Sequence, residues 1–284
     1  MKNKMILGLN LIALCFMSGC TSINDNNNPQ VSECTEAHYI FADTLKTISI
    51  KGDSARVDLI IDASAVQTTV HVKKCVSRDK QDDTIVNVFT HKNTLNLQEI
   101  HKNSKWFTTH SSGQVEYTIV TPYSVDIKTD TGTLTFTSRG NLQDIEVKAG
   151  TATLEHTDVK NITVRSGTVI ITAPLVSGNV KVDAGTFKGE IGIVQFSSRN
   201  LTGRDLLKTS TTVQSVVLKT GTATLTLIIP TDTYVPLDNI TTSPAVMVNS
   251  QVPTIASAQD DRHYPLNLKV GTGSGQITIV PGKA

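Results

Sequence analysis

The 284-residue sequence predicts an all-β fold, a single-stranded β-solenoid with about 18 residues in each coil. The first observation is a glycine that returns at intervals of 18, 17, 18, 18 and 18 residues, at Gly132, Gly150, Gly167, Gly185, Gly203 and Gly221. The second is that threonine follows five of these six glycines. The third is that apolar and polar residues alternate on both sides of the glycine. A fixed period of this length is typical of stacked, equivalent units.

The alternation predicts one strand on each side of the glycine. Apolar residues stand five and three positions before it and two and four positions after it, which in the second unit are Ile145, Val147, Ala152 and Leu154. A strand with one buried face requires this period of two, whereas a helix needs apolar residues every three or four positions. Because glycine adopts positive φ without penalty, each is predicted to form a tight corner.

Two parts of the chain depart from this pattern. Around Gly203, Asn200 and Asp205 stand where other units have apolar residues, so we expect this unit to bulge or loop out. Residues 37–122 carry short alternating runs without the glycine period, which predicts an irregular N-terminal β segment or cap.

Residues 123–284 are the predicted solenoid repeats. Within them, residues 231–262 are rich in threonine, serine, aspartate and proline, and are predicted to form a long loop or irregular coil. Residues 266–279 resume the alternation and are predicted to be the closing unit.

The N-terminus has the features of an export signal. Lys2 and Lys4 precede an apolar run over residues 5–17, which is too short to span a bilayer comfortably. Residues 1–19 are therefore predicted to be a signal peptide. An ordinary secretory signal with cleavage nearby is the alternative to a lipoprotein signal.

The end of this run points to lipidation. Met17-Ser18-Gly19-Cys20 resembles the bacterial lipobox, with methionine in place of the usual leucine, so Cys20 is predicted to carry acyl chains that anchor it in a membrane. Residues 20–36 are predicted to be the acylated cysteine and a polar tether. Thr21, by resemblance to Gram-negative lipoproteins, indicates sorting to the outer membrane in an organism that has one.

Charge and cysteine content limit the classes of partner. Without residues 1–19 the chain has 24 basic and 25 acidic residues, so nothing in its charge favours nucleic-acid binding. Cys34 and Cys75 are the cysteines left after the signal peptide and Cys20. In an exported protein they are expected to form one disulfide, with two free thiols as the alternative.

Motifs for catalysis, cofactors or metals are not found in the sequence. The seven histidines show no zinc-binding spacing, and no calcium-binding glycine–aspartate repeat is present. Asp126 and Asp144 share one phase of the repeat, but that column continues with asparagine and serine, which predicts turn hydrogen bonds rather than a catalytic cluster. The predictions are therefore no catalytic residue, no cofactor and no metal ligand.

One polar stretch is a candidate for ligand contact. Trp106 and Phe107 lie between His101 and His110 in a segment without strand patterning. An exposed tryptophan can stack on a sugar ring. The alternative is that the tryptophan anchors a loop to the core.

The repeats resemble a family of bacterial β-strand-repeat domains of unknown function, catalogued as "putative adhesins". The closest motifs are Lys219-Thr220-Gly221-Thr222 and Val270-Gly271-Thr272-Gly273-Ser274-Gly275, and the resemblance covers about residues 40–284. It implies a right-handed, single-stranded β-helix exported to the cell envelope. It supplies no catalytic residue.

Together these features favour a non-enzymatic, lipid-anchored protein of the cell envelope, with the outer membrane as its expected site. Its partners are expected to be the membrane, through the N-terminal lipid, and a protein or glycan bound by the rod. Two alternatives remain open: a carbohydrate-active β-helix enzyme, and a structural or stress-related envelope component. A cluster of carboxylates at one level of the rod would favour the enzyme.

Overall fold

The structure, a computed structural model, describes residues 32–77, 81–102, 114–155, 158–193, 214–229, 240–251 and 266–282. These residues form fourteen strands and no helix, which confirms the all-β prediction. The strands are β1 (Ser32–Phe41), β2 (Thr47–Ile61), β3 (Thr68–Ser77), β4 (Thr84–His91), β5 (Thr94–His101), β6 (Gln114–Thr121), β7 (Asp126–Arg139), β8 (Asn141–Glu155), β9 (Asp158–Val176), β10 (Val180–Ile193), β11 (Gln214–Ile229), β12 (Ile240–Thr242), β13 (Val246–Ser250) and β14 (Leu266–Pro281). Within those ranges, no helix is long and apolar enough to cross a membrane.

All fourteen strands belong to one open sheet. The strands β7, β8, β9, β10, β11 and β14 lie side by side in that order, and each neighbouring pair is parallel. The residues paired across them occupy equivalent positions of the predicted units. One such column consists of Ile127, Ile145, Ile162, Val180, Val216 and Leu268. The sequence period is thus the register of the sheet.

The glycines stack in a second column. It contains Gly132, Gly150, Gly167, Gly185, Gly221 and Gly273. The predicted positive φ at these positions is wrong, because among the described glycines only Gly140 has a positive φ, of 98°. Close approach explains the glycines instead: a Cβ on Gly167 would lie 2.8 Å from the carbonyl oxygen of Gly150. A side chain there would push neighbouring strands apart.

The glycine column is also where each strand bends. In β7, alternate residues are buried up to Thr131 and again from Leu134 onward, while the two residues between them are exposed. Two consecutive exposed residues reverse the alternation, so both halves of the strand can turn their apolar side chains toward one core. The threonine that follows the glycine is the outward residue of this bend.

The unit around Gly203 adds no strand between its neighbours. Gly203 lies outside the described residues, and β10 pairs directly with β11, with Val180 opposite Val216. The ladder therefore skips one unit of the sequence period between these two strands.

One apolar core extends along the sheet from Leu45 to Ile279. The largest side chains buried in the repeats are Phe136 and Phe187, each 1% exposed. A Cβ on Gly189 would overlap the ring of Phe187, so the glycine provides the space that the ring occupies. A large side chain in one column is therefore accommodated by a small residue in the adjacent column, and the core stays close-packed.

The N-terminal region, β1 to β6, is built differently. The strands β1, β3 and β6 pair antiparallel in that order, and β4 and β5 form an antiparallel hairpin. β2 is the junction, because it pairs in parallel with β7 along one edge and with β5 and then β6 along the other. The sheet and its core are therefore continuous across residue 122, the predicted domain boundary.

The opposite end of the sheet carries two short strands. β12 and β13 pair in parallel with the first and second halves of β14. The prediction of a loop over residues 231–262 missed them because they are only 3 and 5 residues long. The predicted closing unit is correspondingly not the outermost one, since β14 lies between β11 and these strands.

Candidate functional site

Of the predicted site residues, only the two cysteines are described. Cys20, Trp106 and Phe107 lie outside the described ranges. Cys34 and Cys75 stand opposite each other on β1 and β3, with their Cα atoms 4.1 Å apart, and form a disulfide. The bond therefore ties the first strand to the third, next to the start of the described chain.

A carboxylate fills a gap in strand pairing at the bend of β2. Along one edge, β5 pairs with β2 as far as Lys51, and β6 takes over from Ala55. Between these points Glu99 Oε2 accepts hydrogen bonds from the backbone amides of Asp53, at 3.1 Å, and Ser54, at 3.3 Å. The carboxylate thus supplies the acceptor that a neighbouring strand supplies elsewhere in the sheet.

Local sequence explains how Glu99 reaches this position. Glu99 follows Gln98, the last residue of β5 that pairs with β2, and its side chain points to the core side of the strand. A Cβ on Gly52 would lie 2.6 Å from Glu99 Oε2. Glycine at this position is therefore what allows the carboxylate to approach the β2 backbone.

His101 completes the arrangement, which we call the Glu99 cluster: Asp53, Glu99 and His101. The Nε2 atom of His101 lies 3.2 Å from Glu99 Oε1 and 3.3 Å from Asp53 Oδ2. Its Nδ1 atom lies 3.2 Å from Thr84 Oγ1. Burial raises the pKa of Glu99, while the hydrogen bonds from β2 and the attraction of His101 act in the opposite direction.

The Glu99 cluster is suited to a structural role rather than to catalysis. The Glu99 side chain is 2% exposed, so a substrate has no access to its carboxylate. One of its oxygens already accepts two backbone hydrogen bonds. Sequence reasoning missed the cluster because 46 positions separate Asp53 from Glu99, and the only local signal was Gly52 before an acidic residue.

The predicted column of Asp126 and Asp144 forms a hydrogen-bond ladder. Each member accepts from the residue at the same position of the next strand: Asp126 Oδ1 from the Asp144 amide at 3.2 Å, Asp144 Oδ1 from Asn161 Nδ2 at 2.8 Å, Asn161 Oδ1 from the Asn179 amide at 2.7 Å, and Asn179 Oδ1 from the Ser215 amide at 3.0 Å. The bonds join neighbouring strands, 17 to 36 residues apart in the chain, and not the ends of local turns, so the predicted turn role is replaced by a cross-strand one. A shallow groove crosses these residues beside Lys128 and Glu146, but the two aspartates in it are engaged by the ladder.

The outer face of the N-terminal sheet is charged. One row across β1, β3, β6 and β2 reads Glu36, Lys73, Glu116 and Arg56, so the sign of charge alternates between neighbours. Lys73 Nζ lies 4.0 Å from Glu116 Oε2, and both side chains are more than a third exposed. Ion pairs in such positions add about 1 kcal/mol at most, so this row is a solvated surface.

The β4–β5 hairpin instead presents apolar and amide side chains to solvent. Its two-residue turn is formed by Lys92 and Asn93, which both have positive φ, as tight hairpins require. Phe89 and Ile100 are 40% and 42% exposed. The outward pairs along the hairpin are Ile85 with Ile100, Asn87 with Gln98, and Phe89 with Asn96. We call these six residues the hairpin face.

Comparison with known proteins gives structural neighbours only. No family model matches the chain, and no curated protein matches it. It is similar to the crystal structure of a "putative adhesin" from Bacteroides fragilis, with 12% identity and a TM-score of 0.42, covering 87% of this chain and 97% of the other. A "putative adhesin" from Parabacteroides distasonis gives 13% identity, a TM-score of 0.39 and the same coverage. A "putative cell adhesion protein" from Clostridium sporogenes gives 12% identity and a TM-score of 0.31, covering 88% of this chain and 100% of the other.

Proposed function

We propose that this chain is a non-enzymatic, adhesin-like protein of the bacterial cell envelope, anchored by lipid on Cys20, that binds a protein or glycan partner. The observation that carries the proposal is the hairpin face, on which Phe89 and Ile100 expose large apolar side chains between amides. Exposed apolar groups framed by polar ones are typical of interaction surfaces.

The chemistry of the hairpin face suits a partner with both apolar and hydroxyl or amide groups. The ring of Phe89 can pack against the C–H face of a sugar or an apolar side chain, while the neighbouring amides of Asn87 and Gln98 donate and accept hydrogen bonds. β4 pairs only with β5 among the described strands, so the hairpin lies at a margin of the sheet. Trp106 and Phe107, the predicted contact residues, follow the end of β5 by five and six residues in the sequence.

The disulfide supports an envelope address, and the length of the N-terminal segment limits how far the sheet would lie from the membrane. The Cys34–Cys75 disulfide is expected in an oxidising compartment outside the cytoplasm. Eleven residues separate Cys20 from Ser32, where β1 begins, a length that spans at most about 40 Å. A lipid on Cys20 would hold the N-terminal sheet within that distance of the membrane surface.

The connections between strands support a solenoid as the scaffold of this function. A single residue, Gly140, joins β7 to β8, although these strands are parallel neighbours. A separate crossover between parallel strands needs a dozen or more residues. Each strand must then curve back toward its own beginning, which a bend at Gly132 provides. We propose the right-handed form, since crossovers between parallel strands take that hand.

Partner binding is tested with the hairpin face intact and altered. The purified protein is applied to immobilised mucin, to the same mucin after enzymatic removal of its glycans, and to a glycan array. We expect binding that Phe89→Ser with Ile100→Ser reduces at least tenfold, whereas Ile170→Ser, at an equally exposed position in β9, leaves it unchanged. Loss of binding to deglycosylated mucin would identify a glycan partner, and its retention a protein partner.

The alternatives predict different results in the same assays. Binding that is equal for the hairpin variant and wild type would refute the hairpin face as the site. Release of reducing sugars from the array glycans or mucin would favour the carbohydrate-active enzyme. Lipidation is tested separately: Cys20→Ala should move the protein from the detergent phase to the aqueous phase, and unchanged partitioning would refute it.

A further inference from the structure

We infer that Glu36, His38 and His71 form a binding site for a zinc ion on the outer face of the N-terminal sheet. Glu36 and His38 lie on β1, and His71 lies opposite His38 on β3. Ligand atoms of all three residues lie within 4.8 Å of one another, the only such group of three among the described residues. The site is independent of the hairpin face and of the partner proposed for it.

Strand geometry brings these three side chains together. Residues two apart on a strand point to the same face, so Glu36 and His38 project on one side of β1. The cross-strand pair His38 and His71 projects on that side too, with ring centroids 4.3 Å apart and planes inclined by 13°. The group forms no local zinc motif in the sequence because its histidines, His38 and His71, are 33 positions apart.

The distances suit a first-row ion. Zinc binds nitrogen and oxygen ligands at about 2.0–2.2 Å, which in a tetrahedral site places neighbouring ligand atoms about 3.4 Å apart. His71 Nε2 and Glu36 Oε2 are already 3.4 Å apart. Because the two rings are stacked, His38 needs a rotation of its side chain to turn a nitrogen toward the same point, and its exposed position leaves room for that rotation.

One ligand atom points to an ion rather than to solvent. His71 Nε2 is shielded from water and has no hydrogen-bond partner. The Glu36 carboxylate, whose side chain is 38% exposed, is its ion-pair partner. A metal ion between the two would satisfy the nitrogen without displacing either strand.

The donor set selects the class of metal. Two imidazoles and one carboxylate are ligands for zinc and its neighbours, whereas calcium and magnesium prefer sites built of oxygen alone. Three protein ligands leave a fourth position open to water or to a group from another molecule. The site therefore differs from a closed structural zinc site.

The surroundings hold the site rigid and moderate its charge. The Cys34–Cys75 disulfide lies on the same strand pair, two residues from Glu36, and fixes β1 against β3. Lys73 is the basic neighbour, opposite Glu36, but its ammonium group lies 4.0 Å from Glu116. The positive charge nearest the site is thus shared with a second carboxylate.

The test is calorimetric titration of zinc chloride into the full-length protein, purified without a histidine tag and with no reductant, so that the disulfide stays closed and offers no thiolate. We expect one zinc ion per chain at pH 7.5 and no heat with calcium chloride. His38→Ala and His71→Ala should each weaken binding at least tenfold, since even loss of a residue behind a ligand costs that much.

Controls make each outcome decisive. His91→Ala, at the exposed end of β4 beside the hairpin turn, should bind zinc as wild type does. Circular dichroism checks the fold of each variant, and Glu36→Gln, a nearly isosteric change, replaces any histidine variant that fails to fold and should also weaken binding. Absence of binding by wild type, or equal binding by wild type and the folded site variants, would overturn the inference.

Discussion

The repeat region and the N-terminal region meet the same backbone requirement in different ways. Both contain a strand that bends where its neighbours come close. In the repeats, glycine lies against glycine, and the bend is covered on each side by an identical bend. At the N-terminal end Asp53 continues this column beside Gly132, but its other side is covered by the Glu99 carboxylate. Periodic stacking needs one small residue per unit, whereas its end needs a specific side-chain acceptor.

This difference predicts that substitutions in the repeats can be compensated within the column, while those in the N-terminal region cannot. A repeat position has close equivalents in the neighbouring strands, so a lost volume can be restored nearby. The contacts of the Glu99 cluster and of the disulfide occur once in the described chain.

The largest effect is expected at Phe187. Phe187→Ala should lower the free energy of unfolding by about 3–5 kcal/mol, because the buried ring leaves a cavity beside Gly189. Gly189→Leu alone should also destabilise, by overpacking against the ring. In combination the two should cost at least about 1 kcal/mol less than the sum of the single changes, as measured by denaturant titration. If the two changes in free energy were strictly additive, the side chains at positions 187 and 189 would not occupy the same space.

Removal of the disulfide should affect the N-terminal region first. Cys34→Ser with Cys75→Ser opens a loop with a sequence separation of 41 and should cost about 2–4 kcal/mol. Hydrogen exchange should become faster in β1 and β3 and stay unchanged in β8 and β9. Faster exchange throughout the repeats would mean that the two regions unfold as one unit.

Close approach in the glycine column predicts a smaller loss. Gly167→Ala should cost about 1–3 kcal/mol, since its Cβ would meet the Gly150 carbonyl oxygen at 2.8 Å. Gly271→Ala is the matched control, because its Cβ would lie 3.8 Å from the nearest atom, the Leu218 carbonyl oxygen. Thermal melts should separate the two variants, and identical melting temperatures would contradict the role assigned to the column.

The smallest effect is a pH dependence at Glu99. Burial raises the pKa of Glu99 above its usual value of 4.5. At a pH above 4.5 but below the raised pKa, Glu99 holds a proton in the folded state that it has released in the unfolded state. Its contribution to stability therefore falls as pH rises through that range. Glu99→Gln keeps an acceptor for the β2 amides but lacks this slope. Denaturant titrations from pH 4 to 7 should therefore show the variant gaining stability relative to wild type, and Glu190→Gln, on the surface, should not.

The repeat region could be predicted from sequence because its pattern is periodic. The apolar columns and the glycine register follow from spacing alone, because each strand pairs with a neighbour of the same pattern. The reason for glycine did not follow: its φ and its contact with Gly150 depend on how closely the strands pack. β12 and β13 were missed because strands this short contain too few residues to show a period.

Sites formed across distant strands were beyond the reach of sequence. Cys34 and Cys75 were paired by elimination, as the cysteines left for a disulfide. The contacts of Glu99 and His101 could not be predicted because their partner Asp53 lies on a different strand, β2. His38 and His71 likewise meet only through the antiparallel register of β1 and β3, which no local motif encodes.

The direct pairing of β10 with β11 has a consequence for the order of the strands. Residues 194–213 separate the two strands in the chain, yet Val180 and Val216 are adjacent in the ladder, so the sheet is complete without that interval. The neighbour of β10 is therefore set by the match of its side-chain columns to those of β11, and not by continuity of the chain.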